Sequence, residues 1–222
     1  MNQDIWTAVD EYFEQKLIGG DDALRQALAN SERAGLPSIA VAPNQGKFLQ
    51  MLVRIQGAKS ILEIGTLGAY STIWLARGLQ EDGRMVTMEA DEKHADVARS
   101  NIANAGLADR VELIQGPALD NLPALIGDER APFDLVFVDA DKQNNPAYVN
   151  WSLKLTRPGS IIIVDNVVRS GTIADEASDD PDVQGARALF DLIEQEPTLD
   201  ATALQTVGVK GYDGLVVALV TE

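Results

Sequence analysis

Asp139 follows the apolar run Phe133–Val138, and Asp165 and Asn166 follow the run Ser160–Val164. Two carboxylates and a neutral amide oxygen brought to one point form a hard, all-oxygen donor set. Such a set suits Mg2+, with Ca2+ or Mn2+ as alternatives, and leaves positions free for water or a ligand. Facing carboxylates repel unless compensated, and a cation compensates them. The chain has no cysteine, which excludes disulfides, zinc–thiolate sites and thiol nucleophiles. Its one histidine, His94, falls within a segment of helical spacing, where a solvated surface position is expected, so the pattern argues against zinc. Lys142 stands three residues after Asp139, in Asp139-Ala140-Asp141-Lys142. A cation beside it would lower its ammonium pKa, and with no histidine at hand it is the natural base for a hydroxyl.

Two further acids end apolar runs: Glu63 within Ser60–Ile64 and Glu89 after Arg84–Met88. From Glu63 the chain reads Ile64-Gly65-Thr66-Leu67-Gly68-Ala69-Tyr70-Ser71 into a helix, and the glycines would let the backbone turn closely under a ligand. Glu89 comes 24 positions after Gly65, near the roughly 20 expected of an acid that accepts hydrogen bonds from a ribose. Together they imply an adenosine site without separating a nicotinamide dinucleotide from S-adenosylmethionine. Acids also cap helices that follow strands, a reading that serves any one of the four positions better than all of them.

The elements that must position these groups alternate between strand and helix. The runs above and Val111–Ile114 make five strands, several apolar almost throughout, as strands covered on both faces should be. Thr72–Leu79, Glu92–Ala105 and Tyr148–Leu155 have helical spacing, with Asp91 as a cap, and Tyr148 and Trp151 reading as core. An α/β fold follows, a doubly wound, mostly parallel sheet. Residues 4–17, 21–34 and 44–56 read as three helices ahead of it, the second capped by Asp21 or Asp22. After the parallel strands come a helix, Pro181–Glu194, and two strands, Ala203–Val209 and Gly214–Thr221, joined by 210–213 as an antiparallel hairpin. That ending favours a class I methyltransferase over a dinucleotide-binding domain. One domain is expected over 1–222, with a helical cover at 1–57 and a cofactor-binding core at 58–222.

Eighteen Lys and Arg against 34 Asp and Glu give a net charge of −16, a field that repels nucleic-acid phosphates. The start lacks the basic and apolar segments of a secretory signal, and no stretch approaches the roughly 20 apolar residues of a membrane span, so a cytoplasmic protein is expected.

Over nearly its whole length the chain resembles the cation-dependent O-methyltransferases that include caffeoyl-CoA and catechol O-methyltransferases, in their compact bacterial form. The resemblance rests on Asn44 to Leu49, Glu63 to Ser71, Gly116 to Leu119, Phe133 to Lys142, Asp165 to Gly171 and Val209 to Gly214. It implies a seven-stranded sheet, S-adenosylmethionine as methyl donor, and a cation on Asp139, Asp165 and Asn166. Lys142 would take the acceptor proton. Glu89 would hold the ribose, Gly65 and Thr66 the methionine arm, and Ser71 its carboxylate. Ala118 would lie by the adenine, and Glu63, Asp139 and Asp141 would face the cofactor. Val41 stands where the family often has a hydroxyl residue, implying a backbone contact, and Ala69 replaces a frequent glycine. The acceptor would be a small catechol-like or phenylpropanoid hydroxyl, under Trp6, Tyr12 and the loop 167–180, in a homodimer. The alternatives are a tRNA wobble-uridine methyltransferase, which lacks a basic track here, and an NAD-dependent oxidoreductase, which leaves Asp165-Asn166 and the hairpin unexplained.

Overall fold

In the computed structural model, which describes residues 2–222, the apolar runs pair into one seven-stranded sheet. The strands are β1 (Ser60–Ile64), β2 (Arg84–Glu89), β3 (Val111–Gln115), β4 (Phe133–Val138), β5 (Thr156–Asp165), β6 (Leu199–Gly208) and β7 (Gly211–Val220). Their order is β3-β2-β1-β4-β5-β7-β6, with only the β5–β7 and β6–β7 pairs antiparallel. The order reverses between β1 and β4, and open α/β sheets bind ligands outside the strand ends at such a point. The register makes this a shared ledge. Ile64 pairs with both Met88 and Val138, and Val138 with Val164, so Gly65, Glu89, Asp139 and Asp165 leave the sheet in one row.

Helices cover both faces. They are α1 (Gln3–Phe13, continued by a π-helical turn to Ile18), α2 (Asp22–Arg33), α3 (Pro43–Gln56), α4 (Tyr70–Ala76), α5 (Glu92–Asn104), the short α6 (Ala118–Asn121), α7 (Asn145–Leu155) and α8 (Pro181–Gln195). Covered on both sides, β4 buries all six of its residues. One face of the sheet packs α3 and α4 through Leu49, Val53 and Ile73, and the other packs α7 and α8 through Val149 and Leu189. The caps form as expected: Asp21 accepts from Leu24 N and Asp91 from His94 N, each at 3.0 Å. Arg77 reaches back from the end of α4 to Asp21 at 2.6 Å, pinning the N-terminal helices to the core.

Several boundaries differ from the sequence reading. Tyr212 and Asp213 pair with Val207 and Thr206, so the hairpin strands are ten residues each and only Val209-Lys210 turn between them, with left-handed Gly211 (φ +93°) at the turn's exit. β5 begins at Thr156, pairing across an irregularity in the β4 register. α7 begins at Asn145, because Pro146 fits a helix's first turn. Among the described residues no helix is long and apolar enough to cross a membrane.

Candidate active site

A cavity of about 730 Å3 opens over the row of strand exits. Of the residues expected there, Val41, Gly65, Thr66, Ser71, Glu89, Ala118, Asp139, Asp141, Lys142 and Asn166 line it. Glu63 and Asp165 stand behind the wall, almost without exposure.

At the β1 and β2 exits the backbone itself is the scaffold. A Cβ on Gly65 (φ +99°) would lie 2.2 Å from Asp139 O, so only glycine lets the two strand ends pass. Glu89 Oε2 accepts from Thr66 N and Leu67 N at 3.2 and 2.7 Å, and Oε1 accepts from Asp91 N at 3.0 Å. These bonds fold the loop after β1 against the end of β2. Gly68 does not serve the ligand turn: it packs against Ser31 of α2, and its neighbours Leu67 and Ala69 take the left-handed conformations instead. Glu63 does not face the cavity. Its carboxylate is enclosed by the hydroxyls of Ser71, Thr72 and Thr87 at 2.5–2.7 Å, and burial pushes its pKa up to about 7 against the pull of those donors.

At the β4 and β5 exits the carboxylates are less fully answered. Asp139 Oδ1 accepts from Lys142 Nζ at 2.8 Å, and Lys142 is nearly buried. Asp165 accepts from Gln45 Nε2 of α3 at 2.6 Å and from Asn166 N at 2.8 Å. Burial, then the charge of Asp139, pushes Asp165 up to about 7. A deeply buried carboxylate beside a second one, with Asn166 in the left-handed region (φ +56°) at the cavity wall, is a donor set short of positive charge. Among the described residues no three acids, histidines or cysteines cluster as a metal site, since the third donor here is an amide. The set fits a hard divalent cation.

Several lining residues escaped the sequence reading. His94 is not a solvated surface residue: at the first turn of α5 it leans over the cavity with Nδ1 3.6 Å from Glu89 Oε1. Tyr148 is not plain core, for its hydroxyl donates to Asp141 Oδ1 at 2.5 Å, while Trp151 is only half-buried with Lys154 over its ring at 4.4 Å. Arg169 and Asp182 also line the cavity, as does exposed Ile39. Gln45 and Arg169 lie within the motifs quoted above, but nothing local to them signals a role in the site.

A family model described as O-methyltransferase matches residues 20–219. The chain belongs to the O-methyltransferase family. This O-methyltransferase is 55% identical over 212 residues to catechol O-methyltransferase of Mycobacterium tuberculosis, covering 96% of this chain and 94% of that one. It is 49% identical to catechol O-methyltransferase of Niastella koreensis, covering 99% and 100%. The solved O-methyltransferase of Bacillus cereus in complex with S-adenosylhomocysteine superimposes with a TM-score of 0.97 at 59% identity, covering 99% of this chain and 100% of that one. The sheet ending in an antiparallel hairpin is therefore that of the S-adenosylmethionine-dependent methyltransferases, as expected from the sequence.

Proposed function

We propose that this O-methyltransferase moves the methyl group of S-adenosylmethionine to one hydroxyl of a small vicinal phenolic diol, with Mg2+, or alternatively Ca2+ or Mn2+, on Asp139, Asp165 and Asn166. The observation that carries the reading is the shared ledge. A glycine turn and Glu89 occupy one end of the cavity, and Asp139, Asn166 and Lys142 the other. The relatives from M. tuberculosis and N. koreensis are named for catechol, and the B. cereus enzyme holds the demethylated cofactor.

Gly65, Thr66 and Ser71 would bind the methionine arm, Glu89 the ribose, and Ala118 and backbone at Val41 the remaining cofactor surface, while Asp141 faces it from the third side. When bound, the cation supplies Lewis acidity that lowers the pKa of the diol hydroxyl. Lys142 Nζ accepts the hydroxyl proton as the C–O bond forms and the sulfonium C–S bond breaks. Asp139 Oδ1 positions that ammonium at 2.8 Å. No covalent intermediate with the protein is needed, because the donor methyl is already activated and the chain's contribution is alignment. Glu63 acts behind the wall, holding Ser71 in place.

The reading includes a homodimer and a cytoplasmic location. Ile5, Val9, Tyr12 and Phe13 stand exposed on α1, an apolar face that a second copy would cover. The test is methyl transfer from labelled cofactor to catechol, caffeate, caffeoyl-CoA and tRNA, with Mg2+ and with a chelator. Transfer to diols that stops on chelation is expected. Diol methylation that survives full chelation overturns the cation's role, and transfer to tRNA alone overturns the acceptor class.

A further inference from the structure

The cavity rim beyond the ledge carries a guanidinium to which the methyl-transfer reading gives no task. Arg169 follows Asn166 by three residues, in a loop whose backbone is turned left-handed at Arg169 and Ser170 (φ +54° and +56°). That turn is held from the hairpin. Asp213 Oδ1 accepts from Val168 N at 3.0 Å and Arg169 N at 3.1 Å. So fixed, Arg169 extends one N–H to Asp182 Oδ2 at 3.0 Å. Among the described residues no other acceptor engages its guanidinium, which has five N–H donors in all. Asp182 is in the first turn of α8, and α8 packs hard on the Lys142 turn: a Cβ on Gly185 would lie 2.3 Å from Lys142 O. Arg169 and the N-terminal end of the fifteen-residue α8 therefore meet on one side of the cavity, beside the Lys142 turn.

We infer that Arg169 selects acceptors that carry an anionic group, a carboxylate above all, on the ring away from the reacting hydroxyl. The inference rests on the diol-methylating reading and names a substrate class for it. Among the described lining residues, which include the carboxylates of Glu89, Asp139, Asp141 and Asp182, Arg169 is the one guanidinium, so it is where an anionic group of an acceptor can be met. The Arg169–Asp182 pair is single-pronged and partly exposed, with side chains 28% and 36% accessible, and pairs of that kind hold weakly. A substrate carboxylate can meet the planar guanidinium with two parallel hydrogen bonds and displace Asp182. Asp182 thus neutralises the guanidinium in the empty enzyme and yields it to the acceptor.

The experiment compares 3,4-dihydroxybenzoate, catechol and 3,4-dihydroxyphenethylamine with the Mg2+-loaded enzyme. It measures kcat/KM for methylation, and Kd by calorimetry in the presence of S-adenosylhomocysteine. The wild type is expected to bind and methylate the acid best and the amine worst. Arg169→Gln should lower the acid-to-catechol ratio, in both kcat/KM and affinity (1/Kd), by about 10- to 100-fold. Asp182→Asn should raise it, and opposite effects from two rim variants cannot both come from misfolding. A ratio unmoved by Arg169→Gln, a wild-type preference for the amine, or a fall in Asp182→Asn would overturn the inference. If no diol is methylated while the Kd ratios behave as stated, the earlier reading fails and the carboxylate site stands.

Discussion

Glu63 at the end of β1 and Asp165 at the end of β5 are both buried carboxylates, and burial pushes each up to about 7. They differ in what can reach them. Three hydroxyl donors seal Glu63 away from the cavity, so the group that relieves its charge is a proton. Asp165 stands beside Asp139 and Asn166, both at the cavity wall, so there a cation from solvent can take that role. Residue type and position at a strand end do not separate a brace from a ligand; access and the chemistry of the surrounding donors do.

The sharpest way to break this contrast is to remove each carboxylate. Asp165→Ala should lower kcat/KM for diol methylation by about a thousandfold, while S-adenosylhomocysteine affinity measured by calorimetry stays within about threefold. Parallel loss of both would make Asp165 a second brace. Glu63→Ala should do the reverse, lowering the free energy of unfolding in urea by about 3–5 kcal/mol because three buried hydroxyls lose their acceptor. Glu63→Gln, which keeps an acceptor oxygen, should lose less.

The same pair should separate by pH. A carboxyl whose folded pKa is raised contributes stability that is fully present below the unfolded value and is lost as pH rises through the folded one. For Glu63 that window runs from 4.5 to about 7 and amounts to about 3 kcal/mol. Asp165 has the same sign from 3.8 to about 7. Urea melts across this range should show stability falling with pH. Glu63→Gln should remove the first share whatever the metal, and saturating Mg2+ should remove the second alone. A metal-insensitive profile would erase the distinction. The smallest effect belongs to the cofactor-side turn: Ala69→Gly, relieving a left-handed alanine at φ +65°, should raise stability by ~0.5–1 kcal/mol, read as a shift in the urea midpoint.

The sheet was legible because its central strands are apolar on both faces, and the four acids because ligands gather where such strands end. The hairpin's limits were not, since Gly211, Tyr212 and Asp213 look like turn residues and only the ladder shows that they pair. Helical spacing put His94 on a surface, but the cap by Asp91 starts α5 so close to β2 that His94 folds back over Glu89. Glu63 and Glu89 were indistinguishable as letters. One meets three hydroxyls from two elements and the other backbone amides, and neither partnership has a local pattern. Arg169 and Asp182 belong to separate elements, and their meeting depends on α8 lying against the Lys142 turn.

Asp213, through its bonds to Val168 N and Arg169 N, ties the rim of the cavity to a part of the chain synthesised after it. It leaves the ribosome after the residues that line the cavity, and β7 lies between β5 and β6 to deliver it. A nascent chain that has made the glycine turn, Glu89 and both aspartates still has an unanchored rim. The strand ends that make the ledge, from Gly65 to Asn166, are therefore all synthesised before the residue that fixes the turn at Arg169.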